Sequence, residues 1–291
     1  MQVVTDWGAD LSPELSKNLN IHYIPLPITM RGVTYEHNGE LDKEQFYQEL
    51  SDAEVLPSTS APSVGSMVDL YRKLAKEDRD ILSIHISSGL SGTFNVAKVA
   101  SQQVPEANIT VVDSKVLSCL QGWQVEAAAR AVRAGWSLKR ILGLLERIRM
   151  LADGAFTVQS LNYLIHSGRL GHLKGLLASM LSIKPVIGIE KISGTLISYG
   201  KEMTLRRALD RMVNLISQFY PNETMLRVQP VHGNNLQAVN LLVEKIRQRF
   251  ICQIDPPLSV APVLGAHAGP TVVGFGVMPL QIFDELEAAG Y

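Results

Sequence analysis

The chain has 291 residues, 46% of them hydrophobic and 19% charged, with Lys+Arg 27 against Asp+Glu 28 and a formal net charge of −1. Such a length accommodates two domains and a sizeable core, and the composition excludes a disordered chain. The even charge balance argues against a general attraction to nucleic acid or to an anionic membrane.

The first residues, Met1-Gln2-Val3-Val4-Thr5-Asp6, lack a basic stretch followed by an apolar one. No secretory signal is therefore expected, and the reading is cytoplasmic. Residues 2–5 read as a first strand ending at Asp6, placed either at the crevice of an open α/β sheet or as the cap of a helix near Ser12-Pro13. Residues 21–30 form a second extended run, which Pro25 and Pro27 mark as an edge or irregular strand. Asp42 caps a helix over 43–50 that buries Phe46, Tyr47 and Leu50. Pro57-Ser58-Thr59-Ser60-Ala61-Pro62-Ser63 is a loop of hydroxyls and prolines. It leads into a helix with Met67, Leu70, Tyr71 and Leu74 at i, i+3, i+4 and i+7.

The next stretch, IHISSGLSGT over 84–93, organises the rest. The apolar run Ile81, Leu82, Ile84 and Ile86 reads as a buried parallel strand. It ends in Ser87-Ser88-Gly89 and Ser91-Gly92-Thr93, and a helical pattern starts at Phe94. Strand, small-residue turn and helix present backbone N–H groups and hydroxyls to an anion, and glycines let a ligand approach the backbone closely. The same residues also suit a plain turn with serine caps. Residues 109–112 form another buried strand ending at Asp113-Ser114, followed by helices over 124–134 and 137–150.

Strand and helix alternate through this first half, the pattern of a parallel sheet covered on both faces. The texture changes near Asp153-Gly154, which sets the expected boundary between domains at 1–153 and 154–291. Residues 156–158 open a new sheet, and the glycine-rich basic stretch Ser167-Gly168-Arg169-Leu170-Gly171-His172 precedes an apolar helix over 173–181. Residues 185–190 and 195–199 read as strands. Leu209, Met212, Val213 and Ile216 mark one amphipathic helix; Val239, Leu242, Val243, Ile246 and Phe250 mark another. Residues 260–264 read as a strand, with a turn over 265–270.

Among chemical motifs, Gly89-Leu90-Ser91-Gly92-Thr93 matches a nucleophile elbow only in part, because G-x-S-x-G needs glycine where Thr93 stands. His267 and Asp113 are the nominees for base and acid of a serine-dependent acyl hydrolase or transferase. No phosphate-binding G-x-x-x-x-G-K-[ST] and no dinucleotide fingerprint is present. His166, His172, His232 and His267 lack the spacing of a helical zinc site, and Cys119 and Cys252 lack that of a zinc or disulfide framework. No metal and no cofactor is expected. What recurs is hydroxyl plus glycine, at Thr59-Ser60, Ser88 and Ser91, with Arg169 and His267 as basic groups in glycine-containing turns. Arg169 suits direct contact with an anion and equally suits a solvated loop.

In order along nearly the whole chain, these pieces resemble the DegV family of fatty-acid-binding proteins. Val4-Thr5-Asp6 with Ala9-Asp10-Leu11 is similar to the family's N-terminal Asp-Ser-Thr-Ala-Asp-Leu stretch. Thr59-Ser60-Ala61-Pro62-Ser63 resembles its TSxPS loop. Ser87-Ser88-Gly89-Leu90-Ser91-Gly92-Thr93 resembles S-S-x-L-S-G-T, and Asp113-Ser114 a middle Asp-Ser pair. The run from Leu161 through Gly168-Arg169 is similar to L-x-Y-L-x-x-x-G-R, Ser182-Ile183-Lys184-Pro185-Val186 to N-I-K-P-I, and Gly265-Ala266-His267-Ala268-Gly269-Pro270 to G-T-H-T-G-P.

The resemblance implies two α/β domains, an N-terminal parallel α/β/α sheet domain and a C-terminal α/β domain with a mixed or antiparallel sheet. A long-chain fatty acid lies between them in a protein that is not itself catalytic. Carried onto this chain, the ligand-binding residues are Thr59, Ser60, Ser88, Ser91, Gly92, Arg169, His267 and Gly269. The carboxylate sits at Thr59 and Ser91 near His267, with Arg169 close by where a phosphorylated head group could use it, and residues 173–181 together with the Met and Leu faces of the later helices are candidates for lining the tail. The implied partner is a separate ATP-dependent fatty acid kinase whose acyl phosphate feeds phospholipid synthesis. Four departures stand against the family pattern. Trp7-Gly8 replaces a Ser-Thr pair, and Thr271 follows Gly269-Pro270 where a glycine is usual. Met203 stands where the family has an arginine associated with the kinase, with Arg206 and Arg207 nearby. Asn234 follows His232-Gly233 where a small residue is usual. A carrier of another lipid or amphiphile is the alternative that the altered first motif suggests.

Overall fold

The computed structural model describes residues 1–36, 41–170, 173 and 183–287. The first part of the chain runs β1 (Gln2–Asp6), α1 (Pro13–Asn18), β2 (Ile21–Ile24), β3 (Ile28–Met30), β4 (Val33–Tyr35), α2 (Lys43–Ser51), β5 (Ser58–Thr59), α3 (Val64–Ala75), β6 (Asp80–His85), α4 (Thr93–Ser101) and β7 (Asn108–Asp113). Strands β2-β1-β6-β7 form a parallel sheet, as the alternation of strand and helix requires. The extended run over 21–30 divides at its prolines. β2 joins the parallel sheet, whereas β3 pairs with β4 and β5 in a small antiparallel sheet. Side-chain oxygens cap three helices here, Ser12 on α1, Asp42 on α2 and Ser63 on α3. Each cap satisfies an orphan N–H and is worth about 1 kcal/mol.

Two long helices follow, α5 (Ser118–Arg133) and α6 (Leu138–Leu151). The second part runs β8 (Asp153–Thr157), α7 (Asn162–His166), β9 (Lys184–Ile189), β10 (Leu196–Glu202), α8 (Leu205–Phe219), β11 (Leu226–His232), α9 (Leu236–Arg247), β12 (Cys252–Ile254), β13 (Leu258–Ser259), α10 (Pro262–Ala268), β14 (Val273–Pro279) and α11 (Asp284–Glu287). Its strands make a mixed sheet in the order β10-β9-β8-β14-β11-β12, with β13 also paired to β11. The fold is thus mixed α/β with one parallel and one mixed sheet. One face of the mixed sheet carries α8 and α9 over a separate apolar core that includes Leu209, Met212, Leu242 and Phe275, so the Met and Leu faces of these helices pack there and, contrary to expectation, do not line the cavity between the two sheets.

Helix α5 lies between the two sheets, and its packing explains its composition. Gly122 comes up against the Asp10 carbonyl on one side, while Cys119 and Leu120 fill the space over Gly154 and Gly276 of the mixed sheet on the other. Its buried polar side chains have partners. Gln124 donates to the Ser114 carbonyl at 3.0 Å, and Glu126 pairs with Arg130 at 2.9 Å and Arg227 at 3.0 Å. Helix α5 starts at Ser118, six residues before the position read from alanine content alone, because its first turns are packed on several sides and show no clean stripe. The strand expected over 260–264 is instead α10: Pro262 opens that helix and Ala261 flanks it. A short apolar run cannot be assigned by periodicity, and a proline suits the first helical turn. The helix expected over 173–181 lies outside the described residues except for Leu173.

The second sheet's turn meets the loop after β6 backbone to backbone. Ser87 donates its hydroxyl to the Gly194 carbonyl at 2.7 Å. A Cβ on Gly89 would lie 2.7 Å from the carbonyl oxygens of both Ser193 and Gly194. Gly89 is thus required by this contact, and not by an approaching ligand. Gly8 is likewise short of room: a Cβ there would lie 2.8 Å from Asp6 Oδ1 and 2.9 Å from Ile86 Cδ1. Gly89→Ala should lower the unfolding free energy by roughly 1–3 kcal/mol through overpacking. Urea unfolding reads this as a lower midpoint at unchanged slope, and an unchanged midpoint would show that the contact yields freely.

Candidate functional site

Between the two sheets lies a cavity of about 190 Å3. That is many times the roughly 10–15 Å3 that one water needs, so it is no packing defect. Most of its wall is apolar, with Leu120 from α5, Phe156, Ile189, Leu196 and Val231 from the mixed sheet, and Val263 from α10. Its polar groups come from Thr59-Ser60, Ser91-Gly92, Ser118, Arg169 and His267.

All but Ser118 of these polar residues cluster. The pairing of Thr59 with Ile28 fixes the end of β5, and the Thr59 hydroxyl lies 2.7 Å from His267 Nε2. A Cβ on Gly92 would lie 3.8 Å from that of Ala61, so the loop after β6 and the loop after β5 stand side by side. The Arg169 guanidinium reaches toward the same loop, with Nε 3.5 Å from the Leu90 carbonyl and Nη1 donating to the Ser167 carbonyl at 2.8 Å. No carboxylate pairs with Arg169 among the described residues. Burial pulls its pKa below the ordinary value, yet a guanidinium stays charged in a protein.

His267 feels that charge. Burial first, then Arg169 and His166, pull its pKa down to about 3. The ring is neutral at pH 7, and its buried Nδ1 has no partner among the described residues. The cluster therefore offers one fixed positive charge and three hydroxyls, from Thr59, Ser60 and Ser91, at the edge of an apolar space. Ser91 is held by Thr93, its hydroxyl 2.8 Å from Thr93 Oγ1. Since His267 is paired with Thr59 instead, Ser91 and His267 do not make the nucleophile–base contact of a serine hydrolase.

Six of the eight residues read from the sequence meet on this wall: Thr59, Ser60, Ser91, Gly92, Arg169 and His267. Two do not. The Ser88 hydroxyl accepts from Lys115 Nζ at 3.1 Å and its N–H donates to Asp113 at 3.1 Å, so Ser88 braces the loop from outside. Gly269 terminates α10 at φ 82, and a Cβ there would run into the Tyr163 ring. Asp6 neither borders the cavity nor caps α1. It is fully buried and accepts from His85 Nδ1 at 2.9 Å, the Ile86 N–H at 2.9 Å and the Gly8 N–H at 2.8 Å. His85 Nε2 lies 2.7 Å from Ser83 Oγ, completing a Ser-His-Asp chain sealed in the core. Trp7 is buried and lies off the cavity. The wall residues missed from sequence include Ser118, Cys119 and Leu120 at the start of α5 and Phe156, Ile189, Leu196, Val231 and Val263; no capping side chain marks the start of α5, whose N-cap is Leu117.

Among the described residues, no group of three or more His, Cys, Asp or Glu side chains could hold a metal ion. None of their helices is long and apolar enough to cross a membrane.

The family model described as "Uncharacterised protein, DegV family" matches residues 1–280. A DegV domain-containing protein of Staphylococcus aureus is 33% identical over 276 residues, covering 95% of this chain and 98% of the relative. One from Listeria monocytogenes is 31% identical over 274 residues, covering 94% and 96%. Among solved structures, a DegV family protein from Thermus thermophilus, described by its fatty acid binding, superposes with a TM-score of 0.89 at 27% identity, over 96% of this chain and 99% of that one. DegV of Bacillus subtilis, described as a fatty acid binding protein, gives 0.86 at 29% identity over 95% and 98%.

The depressed pKa of His267 has a consequence for stability. The unfolded chain takes up this proton near 6.5, whereas the folded one holds it off down to about 3. Protons then favour the unfolded chain, so stability falls as pH drops through that window. Urea unfolding at about pH 7 and about pH 4.5 should show a smaller loss for His267→Gln than for the unaltered protein; equal losses would place the ring in a more solvated setting.

Proposed function

We propose that this chain, which belongs to the DegV family, is a carrier that encloses a long-chain fatty acid between its two sheets. In this reading the carboxylate sits at Thr59, Ser91, Arg169 and His267, with Ser60 and Gly92 at the mouth. Ser88 and Gly269 act at one remove, by bracing the loop after β6 and shaping the end of α10.

The observation that carries the reading is the half-buried Arg169 guanidinium, which has only backbone carbonyl partners among the described residues, at the edge of an apolar cavity. A buried charge is costly without a counter-charge, and a carboxylate supplies one. Charge-assisted hydrogen bonds from hydroxyls then replace the water the carboxylate gives up. Beyond the head group, each buried methylene contributes about 0.8 kcal/mol, so a tail of roughly 16 carbons contributes on the order of 10 kcal/mol before ordering costs. The description of similar structures by their fatty acid binding supports the same ligand class.

Presentation of the bound acid to a separate kinase belongs to the same proposal. Met203 is 58% exposed just before α8, whose N-cap is Thr204. Arg206 and Arg207 are exposed on the first turn of that helix and supply positive charge to a partner there.

Ser91→Ala and Thr59→Ala should each weaken fatty acid binding by about 1.5–3 kcal/mol, roughly 10- to 150-fold. Arg169→Gln should weaken it at least as much. Displacement of a fluorescent fatty acid measures all three, and unchanged affinity in all of them would remove the head-group assignment. Reversing the charge of Arg206 and Arg207 together should slow acyl phosphate formation by an ATP-dependent fatty acid kinase about tenfold, with fatty acid affinity preserved. Equal rates would exclude those arginines from the docking surface.

A further inference from the structure

One end of the mixed sheet carries a row of apolar side chains that the carrier reading does not use. The pairing of Phe156 with Ile187 runs on past β8 and β9 to set Leu151 opposite Ile192. The pairing of Leu226 with both Pro279 and Cys252 brings Met225 and Ile251 to the same end. Hydrogen bonds beyond the strand ends close the row. Lys191 donates to the Met150 carbonyl at 2.8 Å, the Leu280 N–H to the Met225 carbonyl at 2.9 Å, and the Leu226 N–H to the Ile251 carbonyl at 3.0 Å. Among the described residues eleven large apolar side chains are exposed, and five of them stand here: Met150, Leu151, Ile192, Met225 and Ile251, each 44% to 75% exposed. The strands beneath them are neighbours in the order β9-β8-β14-β11-β12. At about 4.8 Å per strand the row is roughly 19 Å long. Apolar side chains gathered in this way mark an interaction site.

The charges along the row decide what covers it. At the Ile192 end, Arg149 and Lys191 are taken by Glu146 and Asp153 of the same chain. Glu190 there accepts the N–H groups of Ile192 and Ser193 at 2.9 and 2.6 Å, and forms no ion pair among the described residues. At the Ile251 end, Arg247 and Arg249 are exposed, and no described carboxylate pairs with either. Glu223, exposed beside Met225, also has no ion pair among the described residues. These four charges cancel, which leaves no net charge for an anionic membrane to attract. Their order, Glu190 at one end and Arg247 with Arg249 at the other, is complementary to itself when reversed. A twofold axis through the middle of the row makes that reversal.

We infer that two copies of this chain associate through this row, head to tail about a twofold axis. Each Ile192 then faces Ile251 of the partner subunit, and each Glu190 faces Arg247 and Arg249 of the partner subunit. A standard interface buries about 800 Å2 per partner, a patch roughly 28 Å across, comparable with the row plus its charged ends. Leu196 pairs with Ile189 and Glu202 with Lys184, so the row lies at the opposite end of β10 from Met203. Association therefore leaves the first turn of α8 open.

Sedimentation velocity of the full chain tests the inference. Between about 1 and 100 µM, the weak end of the range for an interface of this size, the mass should rise from one chain toward two. Ile192→Lys and Ile251→Asp should each weaken association at least about tenfold, because each sets like charges against each other across the axis. The double variant should associate again, since each new base then faces a new acid. Displacement of a fluorescent fatty acid should be the same in all variants, as these side chains lie on the surface. An unaltered chain that stays monomeric at the highest concentration, association that survives either single substitution, or a double variant that stays apart would overturn the inference. Binding of a monomeric chain to phosphatidylglycerol vesicles, lost in Ile251→Asp, would overturn it in favour of a lipid surface.

Discussion

A few ångströms of backbone contact hold the site together. Gly89 lies flat against the carbonyls of Ser193 and Gly194, and Ser87 donates across the same gap. This contact joins the end of the parallel sheet to a turn of the mixed sheet. On one side of it lies the chain that carries Leu90, Ser91 and Gly92; on the other lie Ile189 and Leu196 of the cavity wall. Any side chain at position 89 would push the two apart. The loop that presents hydroxyls is therefore positioned by packing between sheets, with Asp113, Lys115 and Ser88 bracing it from outside.

On the carrier reading, electrostatics picks out the head-group end of the cavity. Water is a far better solvent for a carboxylate than an apolar cavity is, so a fatty acid can enter only where a charge and hydrogen bonds replace hydration. In the proposed reading Arg169 supplies the charge, and the neutral His267 beside it adds polarity without competing positive charge. A protonated His267 would crowd the guanidinium, which is part of why its pKa is pushed down. The Ser83–His85–Asp6 chain shows how little a catalytic-looking set of residues means without access, since every member is buried under the loop.

The strand, turn and helix over 84–93 were legible in sequence because an apolar β run gives way abruptly to glycine and hydroxyl residues. The half of the fold built on the parallel sheet was legible for the same reason. The middle of the mixed sheet was not. β14 alternates glycine with apolar residues, and β11 carries Arg227, Gln229 and Pro230, which a central strand normally avoids. The structure explains Pro230: its missing donor falls where the pairing of β11 passes from β12 to β13. Helix α10 was hidden because Val260-Ala261-Pro262-Val263-Leu264 has no period to read. Motif residues were legible as a set, yet composition could not tell which of Ser88 and Ser91 borders the cavity. That distinction comes from Lys115, whose left-handed turn aims an ammonium at Ser88. Ser118 was invisible as a wall residue because buried Gln121, Gln124 and Glu126 blur the start of its helix.

The most direct test of the carrier account is mass spectrometry of the organic extract of freshly purified, natively folded protein. The account predicts long-chain fatty acid in near-stoichiometric amount with the chain. Lipid-free protein, or an extracted lipid with no free carboxylate, would contradict it.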